Sequence, residues 1–360
     1  MKLLTDIGRF DWKSLRSFST ELFTRTGMPE EDAFIVADSL VTANLTGVDS
    51  HGVSRIPIYI ERLQLGVVAK TANYEILREF PATMLVDAKN SMGAVVSARI
   101  MELAVKKAKS SGCVSVAVKN SNHFGMASYF AKMALKERLI AFVTTNAPST
   151  MAPYGGIEPY FGTNPIACAM PSRTIPVVMD MATSVVARGK IILAAKNGQS
   201  IPEGWAITRT GEPTINAQEA LEGTVLPFAG PKGYAIAMMA DILSGILAGG
   251  PFGTAIGGIY NNPDGIQQVG HFFTVIDPDC FVGKEQFLDS MDEMIRQIKS
   301  APRAKGVEEI FLPGEIEERT RLLREKEGIT LTPAVIEDLK RLGKQLNVTF
   351  PSAMNQSKAD

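Results

Sequence analysis

From about residue 82 the apolar residues switch repeatedly between runs that suit a strand and the three-and-four spacing of one helix face. A chain written this way folds as a sheet crossed by helices. Residues 82–87 read as a strand, after which Val96, Ile100, Leu103, Ala104 and Lys107 trace one side of a helix. Residues 113–118 form the next strand, 125–136 a helix and 140–144 another strand, in the manner of successive β-α units. Ahead of them, residues 11–47 are helical: Pro29 precedes Glu30, Glu31 and Asp32, which suit a first turn, and Phe34, Ala37, Leu40 and Val41 recur at helical spacing. The section 146–233, rich in glycine and proline, has apolar runs at 165–170 and 177–179 that suit buried strands joined by long loops. Residues 233–247 are expected to form a helix and 271–276 a strand. Phe287, Met291, Met294 and Ile298 mark an amphipathic helix, and 315–346 read as two polar helices before a frayed end.

No two of the 31 glycines are separated by a single residue, so the GxGxxG fingerprint is absent, and no glycine precedes Lys-Ser or Lys-Thr at P-loop spacing. A conventional Rossmann domain is disfavoured, although other folds cradle phosphates with backbone amides and a lysine. At 360 residues the chain suits two or three domains or one large α/β unit. Hydrophobic and charged fractions of 45% and 21% argue against disorder. Basic and acidic side chains number 37 and 38, leaving a net charge of −1 and no basic stripe for nucleic acid. Cys113, Cys168 and Cys280 are far apart, without the CxxC spacing of a zinc or redox site. They read as core residues in a reducing compartment, and no metal site is expected. The N-terminus has no sustained apolar core, and the longest apolar stretch, 234–249, is interrupted by Asp241. The expectation is a cytoplasmic protein without a membrane span.

Only three histidines occur, two of them in clusters of polar and glycine residues: Asp49-Ser50-His51-Gly52-Val53-Ser54-Arg55 and Asn120-Ser121-Asn122-His123-Phe124-Gly125. Pro57 suggests that a helix begins just after the first cluster, which puts Arg55 at its entrance. An arginine fork there can bind a carboxylate with two parallel hydrogen bonds, with Ser50 and Tyr59 as supporting donors; a surface arginine in a turn is the competing reading. The second cluster follows the 113–118 strand, where α/β proteins place reacting groups. His123 can take or give a proton there, with Asn120, Ser121 or Asn122 holding its tautomer. His271 opens an apolar strand and reads as structural. Lys232 in a Gly-Pro-Lys-Gly turn could contact phosphate or simply be solvated, and Asp180 at the end of an apolar run could be a helix cap.

These segments, with Ala152-Pro153-Tyr154-Gly155-Gly156, Phe161-Gly162-Thr163-Asn164-Pro165, Asp180-Met181-Ala182-Thr183, Pro231-Lys232-Gly233-Tyr234 and Leu312-Pro313-Gly314-Glu315, stand in the order seen in malate/L-lactate dehydrogenases of the second type. The chain resembles that family, which includes ureidoglycolate and sulfolactate dehydrogenases, over nearly its whole length. The resemblance implies an α/β fold with a non-Rossmann mixed-sheet NAD(P)-binding domain and a helical substrate and dimerisation domain. Residues 76–284 would form the first, and 1–75 packed with 285–360 the second. It implies a homodimer that oxidises a small 2-hydroxy acid or reduces the 2-oxo acid with NAD(P); the lack of an arginine cluster that announces a 2′-phosphate site favours NAD, with NADP possible. Carried over residue by residue, it makes His123 the proton acceptor and Arg55 the carboxylate anchor beside His51. Ser50, Tyr59, Thr163 and Asn164 fall to the substrate. Asp180, Met181, Ala182, Lys232, Gly306, Val307 and Glu308 fall to the cofactor, as does Ala147. Where some relatives carry serine, Ala147 would contact the cofactor through backbone alone. The competing enzymatic reading is a reductase of a cyclic imine carboxylate or diketo sugar acid. Retention of His51, Arg55, His123 and Lys232 together discourages a silent binding protein. A hydrolase using Ser50 and His51 is weakest, because adjacent residues rarely align as nucleophile and base and no GxSxG elbow occurs.

Overall fold

A computed structural model describes residues 8–354 apart from 261 and 263, and omits the side chains of 193 and 196. The first residues of the N-terminus and the frayed end read from the sequence therefore lie outside the described residues. The chain opens with β1 (Gly8–Phe10), α1 (Trp12–Arg25), α2 (Glu30–Leu45) and α3 (Ile56–Gln64). Asp11 caps α1 by accepting from Ser14 N at 2.8 Å, and α2 starts behind Pro29 with its three acids in the first turn, as their spacing predicts.

Next come β2 (Glu75–Phe80), β3 (Thr83–Asp87), α4 (Gly93–Ser111), β4 (Cys113–Ser121), α5 (Ala127–Ala131), β5 (Ile140–Thr145), β6 (Ile166–Met170) and β7 (Val177–Met181). A small unit follows, built from α6 (Arg188–Lys196), β8 (Ala206–Ile207), β9 (Pro213–Thr214), α7 (Ala217–Glu222) and β10 (Thr224–Val225). The last elements are α8 (Pro231–Asp241), β11 (Val269–Ile276), α9 (Lys284–Ser300), α10 (Glu315–Glu327), β12 (Ile329–Leu331) and α11 (Pro333–Leu346).

The main sheet has seven strands in the order β2-β3-β4-β11-β5-β6-β7. Only β3 and β4 pair in parallel, joined through α4; β11 returns antiparallel between β4 and β5. The β-α alternation of the sequence is therefore real, but a late strand is threaded into it and makes the sheet mixed. This is not the parallel sheet of a dinucleotide-binding Rossmann fold. One core runs from Leu15, Leu22, Leu40 and Ile60 of the first helices through Val116, Val143 and Phe273 of the sheet to Leu339 of α11. The termini close on each other: β1 pairs with β12, α11 packs on α1 and α3, and α10 on α2.

Several elements depart from their sequence expectation for identifiable reasons. β2 escapes a periodicity reading because all six of its residues are exposed, so no face is marked by burial. Residues 146–233 are more than strands and loops: α6, α7 and the three short strands enclose a second core of Val186, Ile191, Ile201, Ala206, Ala217, Ala220 and Val225. The expected 125–136 helix is α only at α5 and continues as a tighter turn over Lys132–Glu137. α9 buries Leu288, Met291 and Ile295, a face rotated from the expected one, with Met294 at its exposed edge. α8 begins at Pro231 and passes into a π turn at Ile242–Ile246.

Candidate active site

The first cluster folds as two single turns, Asp49–His51 and Val53–Arg55, hinged at Gly52 and running into α3 with Pro57 in its first turn. Gly52 is required by contact: a Cβ would stand 2.2 Å from Asn44 Oδ1. That oxygen accepts from Val53 N at 2.8 Å, while Asn44 Nδ2 reaches Asp49 Oδ1 at 2.6 Å. Arg324 of α10 grips Asp49 from the other side at 2.7 and 3.1 Å. Held this way, Arg55 points its Nε at Ser50 O, 2.7 Å away, and gives Nη1 to the hydroxyl of Tyr260. Ser50 Oγ lies 3.0 Å from His51 Nδ1.

The second cluster leaves the end of β4 with Asn120 in the left-handed region at φ 55°. Asn120 Nδ2 bonds Asp87 Oδ2 at 3.0 Å, and Asn122 Nδ2 bonds Asn90 O, Asn90 Oδ1 and Ser91 O at 3.0–3.1 Å. Gly93 admits this loop, since a Cβ there would meet Asn122 O at 2.0 Å. His123 N donates to Gln267 Oε1 at 3.1 Å.

These loops bring His51 and His123 together, with ring centres 5.7 Å apart and planes at 20°. The partner of His123 Nδ1 is Tyr59 Oη at 2.5 Å, not Asn120, Ser121 or Asn122, whose side chains hold the loop instead. Burial, then the Arg55 guanidinium, then His51 and His271 hold the His123 pKa well below its usual value. His51 is lowered to about 4 by burial and Arg55. Tyr59 is buried and its pKa is pushed up, so it remains a phenol. Both imidazoles are consequently neutral near pH 7.

His271 is fully buried in β11 and structural in its contacts. Its Nδ1 lies 2.8 Å from Thr145 Oγ1 and its Nε2 2.8 Å from Ser121 Oγ, and its ring stacks on Phe124 at 4.6 Å. Burial lowers its pKa to about 3. Through Ser121 and Phe124 it braces both flanks of the His123 loop.

A second group of segments converges at the far edge of the sheet. Thr183 N donates to Thr163 O at 3.0 Å and Thr183 O accepts from Phe228 N at 3.0 Å. Gly233 closes this junction: a Cβ there would meet Phe228 O at 2.4 Å and Thr183 O at 2.9 Å. The segment that follows Ala182 is thereby tied to the first turn of α8, where Lys232 is exposed. Asp180 also has the cap role its strand-end position allowed, with Oδ2 accepting from Ser128 N at 2.8 Å. Asn164 is fully buried, and both ends of its amide are committed, to Ala147 N and Ala237 O at 3.0 Å each. It therefore ties the 147 loop to α8, with one Nδ2 hydrogen donated to Ala237 O. The Ala147 N–H is used by that contact. Thr183 Oγ1 is buried without a hydrogen-bond partner among the described residues, one residue from Ala182.

Gly306, Val307 and Glu308 lie on the exposed loop between α9 and α10. That loop is stapled to β7 where Pro313 O accepts from Val178 N at 2.9 Å, two residues before Asp180. Buried Glu315 secures it, accepting from Leu312 N at 3.0 Å and pairing with Lys299 at 2.5 Å and Arg319 at 2.7 Å. Two residues of the site, Tyr260 and Gln267, carry no sequence signal. Both belong to the loop before β11 and reach Arg55 and His123 only because that strand inserts beside β4. Among the described residues no group of histidine, cysteine and acidic side chains could hold a metal ion, and no helix is long and apolar enough to cross a membrane.

A neutral histidine beside an arginine, on a mixed sheet without a glycine-rich phosphate loop, makes this an α/β protein with the parts for proton transfer next to an anion. Comparison with known proteins narrows the class. The family model described as malate/L-lactate dehydrogenase matches residues 10–340, and the chain belongs to that family. It is 42% identical over 330 residues to the L-sulfolactate dehydrogenase of Methanocaldococcus jannaschii, covering 92% of this chain and 95% of that one. Against the solved structure of the sulfolactate dehydrogenase from that organism the TM-score is 0.90 at 40% identity, covering 95% and 98% of the two chains. The malate dehydrogenase of Pyrococcus horikoshii is 42% identical over 342 residues, 93% of this chain and 94% of that one. A delta1-piperideine-2-carboxylate reductase from Pseudomonas syringae superposes with a TM-score of 0.84 at 31% identity, covering 93% and 99%. Two relatives carry a cofactor in their names: NAD(+) for a ureidoglycolate dehydrogenase of Escherichia coli, 33% identical over 88% of this chain and 90% of that one, and NADP(+) for a (2R)-3-sulfolactate dehydrogenase of Chromohalobacter salexigens, 35% identical over 87% and 92%.

Proposed function

We propose that this protein transfers a hydride between NAD(P) and C2 of a small 2-hydroxy or 2-oxo acid, with His123 exchanging the hydroxyl proton. The observation that carries the reading is the His123 ring, neutral by burial and anchored at Nδ1 by Tyr59 Oη at 2.5 Å beside the Arg55 fork. Because Tyr59 remains a phenol, its oxygen can accept from Nδ1–H, which leaves the Nε2 lone pair for the substrate hydroxyl. A base of this kind is worth about 10²–10⁴ in rate.

Arg55 holds the carboxylate, and Ser50 and His51 line the same side. Its charge has a second effect. In the free site it disfavours a protonated His123, and a bound carboxylate offsets that field and raises the proton affinity of His123 when it is needed.

The cofactor, when bound, supplies the hydride acceptor. We assign its support to Asp180, Met181, Ala182 and Lys232, with Ala147 and Gly306, Val307 and Glu308 along the same edge. The close packing at Gly233 holds the segment after β7 against the first turn of α8, so that both can border one ligand. NAD is the expected cofactor and NADP the alternative.

The partner is a second copy of the chain, which the run of exposed apolar residues at and beyond the end of α8 supports: Met239, Ile242, Ile246 and Leu247 are 40–56% exposed. Residues 1–75 with 285–360 form the substrate and dimerisation part, and 76–284 the cofactor part. Three free cysteines suit the cytoplasm. A cyclic imine carboxylate could use the same anchor, and the likeness to the piperideine carboxylate reductase favours keeping it in view.

A steady-state screen of pyruvate, oxaloacetate, sulfopyruvate and a cyclic imine carboxylate with NADH and NADPH decides. Turnover of one oxo acid that His123→Asn abolishes is the expected result. Full activity in that variant removes His123 from the reaction.

A further inference from the structure

Resting on the reading of Arg55 as the carboxylate anchor, we propose that Tyr260 is a substrate-specificity residue whose hydroxyl is a second donor to the same carboxylate. Arg55 does not present a free fork. Its Nε is committed to Ser50 O at 2.7 Å, which removes the edge formed by Nε and Nη2, and its Nη1 donates to Tyr260 Oη. The remaining approach for an anion is across Nη1 and Nη2, so the phenol stands at the rim of whatever docks there. In the Arg55 contact the phenol oxygen accepts, which leaves its own O–H free to donate. Arg55 Nη2 and Tyr260 Oη then form a two-residue clamp for one carboxylate.

The loop that carries Tyr260 is built for this. Its two ends close on each other, Gly257 N to Gln267 O at 2.9 Å, and Gly257 is so tightly placed that a Cβ would meet Ile266 O at 2.3 Å. Gln267 in turn receives His123 N at 3.1 Å, so the loop is fixed to the residue that exchanges the proton. From α3, Arg62 donates to Gly265 O at 2.8 Å and fastens the loop to the helix that also carries Tyr59. Ile259 packs into the main core beside Tyr59 and His123, which aims the next side chain back over Arg55. Tyr260 is nonetheless 56% exposed. A large aromatic residue anchored on both sides yet open to solvent is suited to meeting a ligand, and removing its hydroxyl leaves the core untouched.

The clamp acts on binding rather than on the proton. A hydrogen bond to a charged group changes affinity by about tenfold or more, and this one is present before and after hydride transfer alike. Tyr260→Phe should therefore raise KM for the oxo acid at least about tenfold, leave kcat within about threefold, and leave KM for NADH unchanged. The test uses the full-length protein with the oxo acid that wild type turns over, together with calorimetry of oxamate in the presence of NADH. Parallel weakening of oxamate supports the clamp. An acid KM within twofold of wild type overturns it, as does a fall in kcat with KM unchanged. If wild type turns over no acid in the screen, the dehydrogenase reading has failed separately, and oxamate binding still decides: tenfold weaker binding in Tyr260→Phe supports the clamp, whereas equal binding, or none in wild type, overturns it.

Discussion

Replacing Tyr59 by Phe removes one oxygen and little else, because Tyr59 is 3% exposed and the ring fills the same space. That oxygen is the described partner of His123 Nδ1, at 2.5 Å. In the variant a buried ring nitrogen loses its partner, and the imidazolium that forms as the hydroxyl proton arrives loses a charge-assisted hydrogen bond. A bond of that kind contributes about 1.5–3 kcal/mol, which corresponds to about 10–150-fold in rate. The loss should fall on kcat, with KM for the acid within about threefold because Arg55 is intact. It should also move the acid limb of the kcat profile for hydroxy acid oxidation to lower pH, since a protonated His123 is further disfavoured. Stopped-flow single turnovers across pH 4–9 would separate the proton and hydride steps from product release. A variant with wild-type kcat and an unshifted acid limb would refute the assignment of Tyr59 to His123.

Other consequences follow from the same geometry. Arg55→Lys keeps the charge but loses the fork and the bond to Ser50 O, so KM for the acid should rise about 10–100-fold by steady-state assay, with the cofactor KM unaffected. Gly233→Ala places a Cβ 2.4 Å from Phe228 O and 2.9 Å from Thr183 O, both backbone atoms that cannot step aside. It should raise the cofactor KM at least about tenfold and cost about 1–3 kcal/mol in urea unfolding. The folded chain also holds His271 near a pKa of about 3 against 6.5 when unfolded, so the unfolded state takes up a proton first as pH falls. Stability present above pH 6.5 is then lost toward acid, by about 2 kcal/mol between pH 6.5 and 5. His51, lowered to about 4, adds in the same direction. Equal urea stability at pH 7 and pH 5 would contradict this.

The pieces of the site that could be read from sequence were those whose local chemistry is unusual. His51, Arg55 and His123 sit where a helix or strand ends, among small polar residues that serve as turns and loop ties, and the structure shows those ties directly in Asn44, Asn120 and Asn122. What the sequence could not show was convergence. Tyr260 and Gln267 lie in a glycine-rich loop without a distinctive motif, and they meet Arg55 and His123 because β11 pairs antiparallel between β4 and β5, a long-range choice that no local pattern encodes. The same strand explains why the β-α rhythm looked more regular than the sheet is. β2 lay beyond a periodicity reading because an edge strand with every residue exposed has no buried face to mark. Asn164 lies in a run legible in the sequence, but its tie between Ala147 and Ala237 is a long-range contact that the run does not encode.

Direct transfer of the C2 hydrogen is the centre of this account, and isotope labelling tests it. The 2-hydroxy acid identified in the screen, deuterated at C2, would be oxidised in ordinary water with equimolar NAD or NADP and the reduced cofactor examined by mass spectrometry. One deuterium in the reduced nicotinamide and a primary isotope effect in single turnovers are expected, with no reduced cofactor formed by His123→Asn. Deuterium released to solvent, or product formed without reduction of the cofactor, would contradict direct transfer.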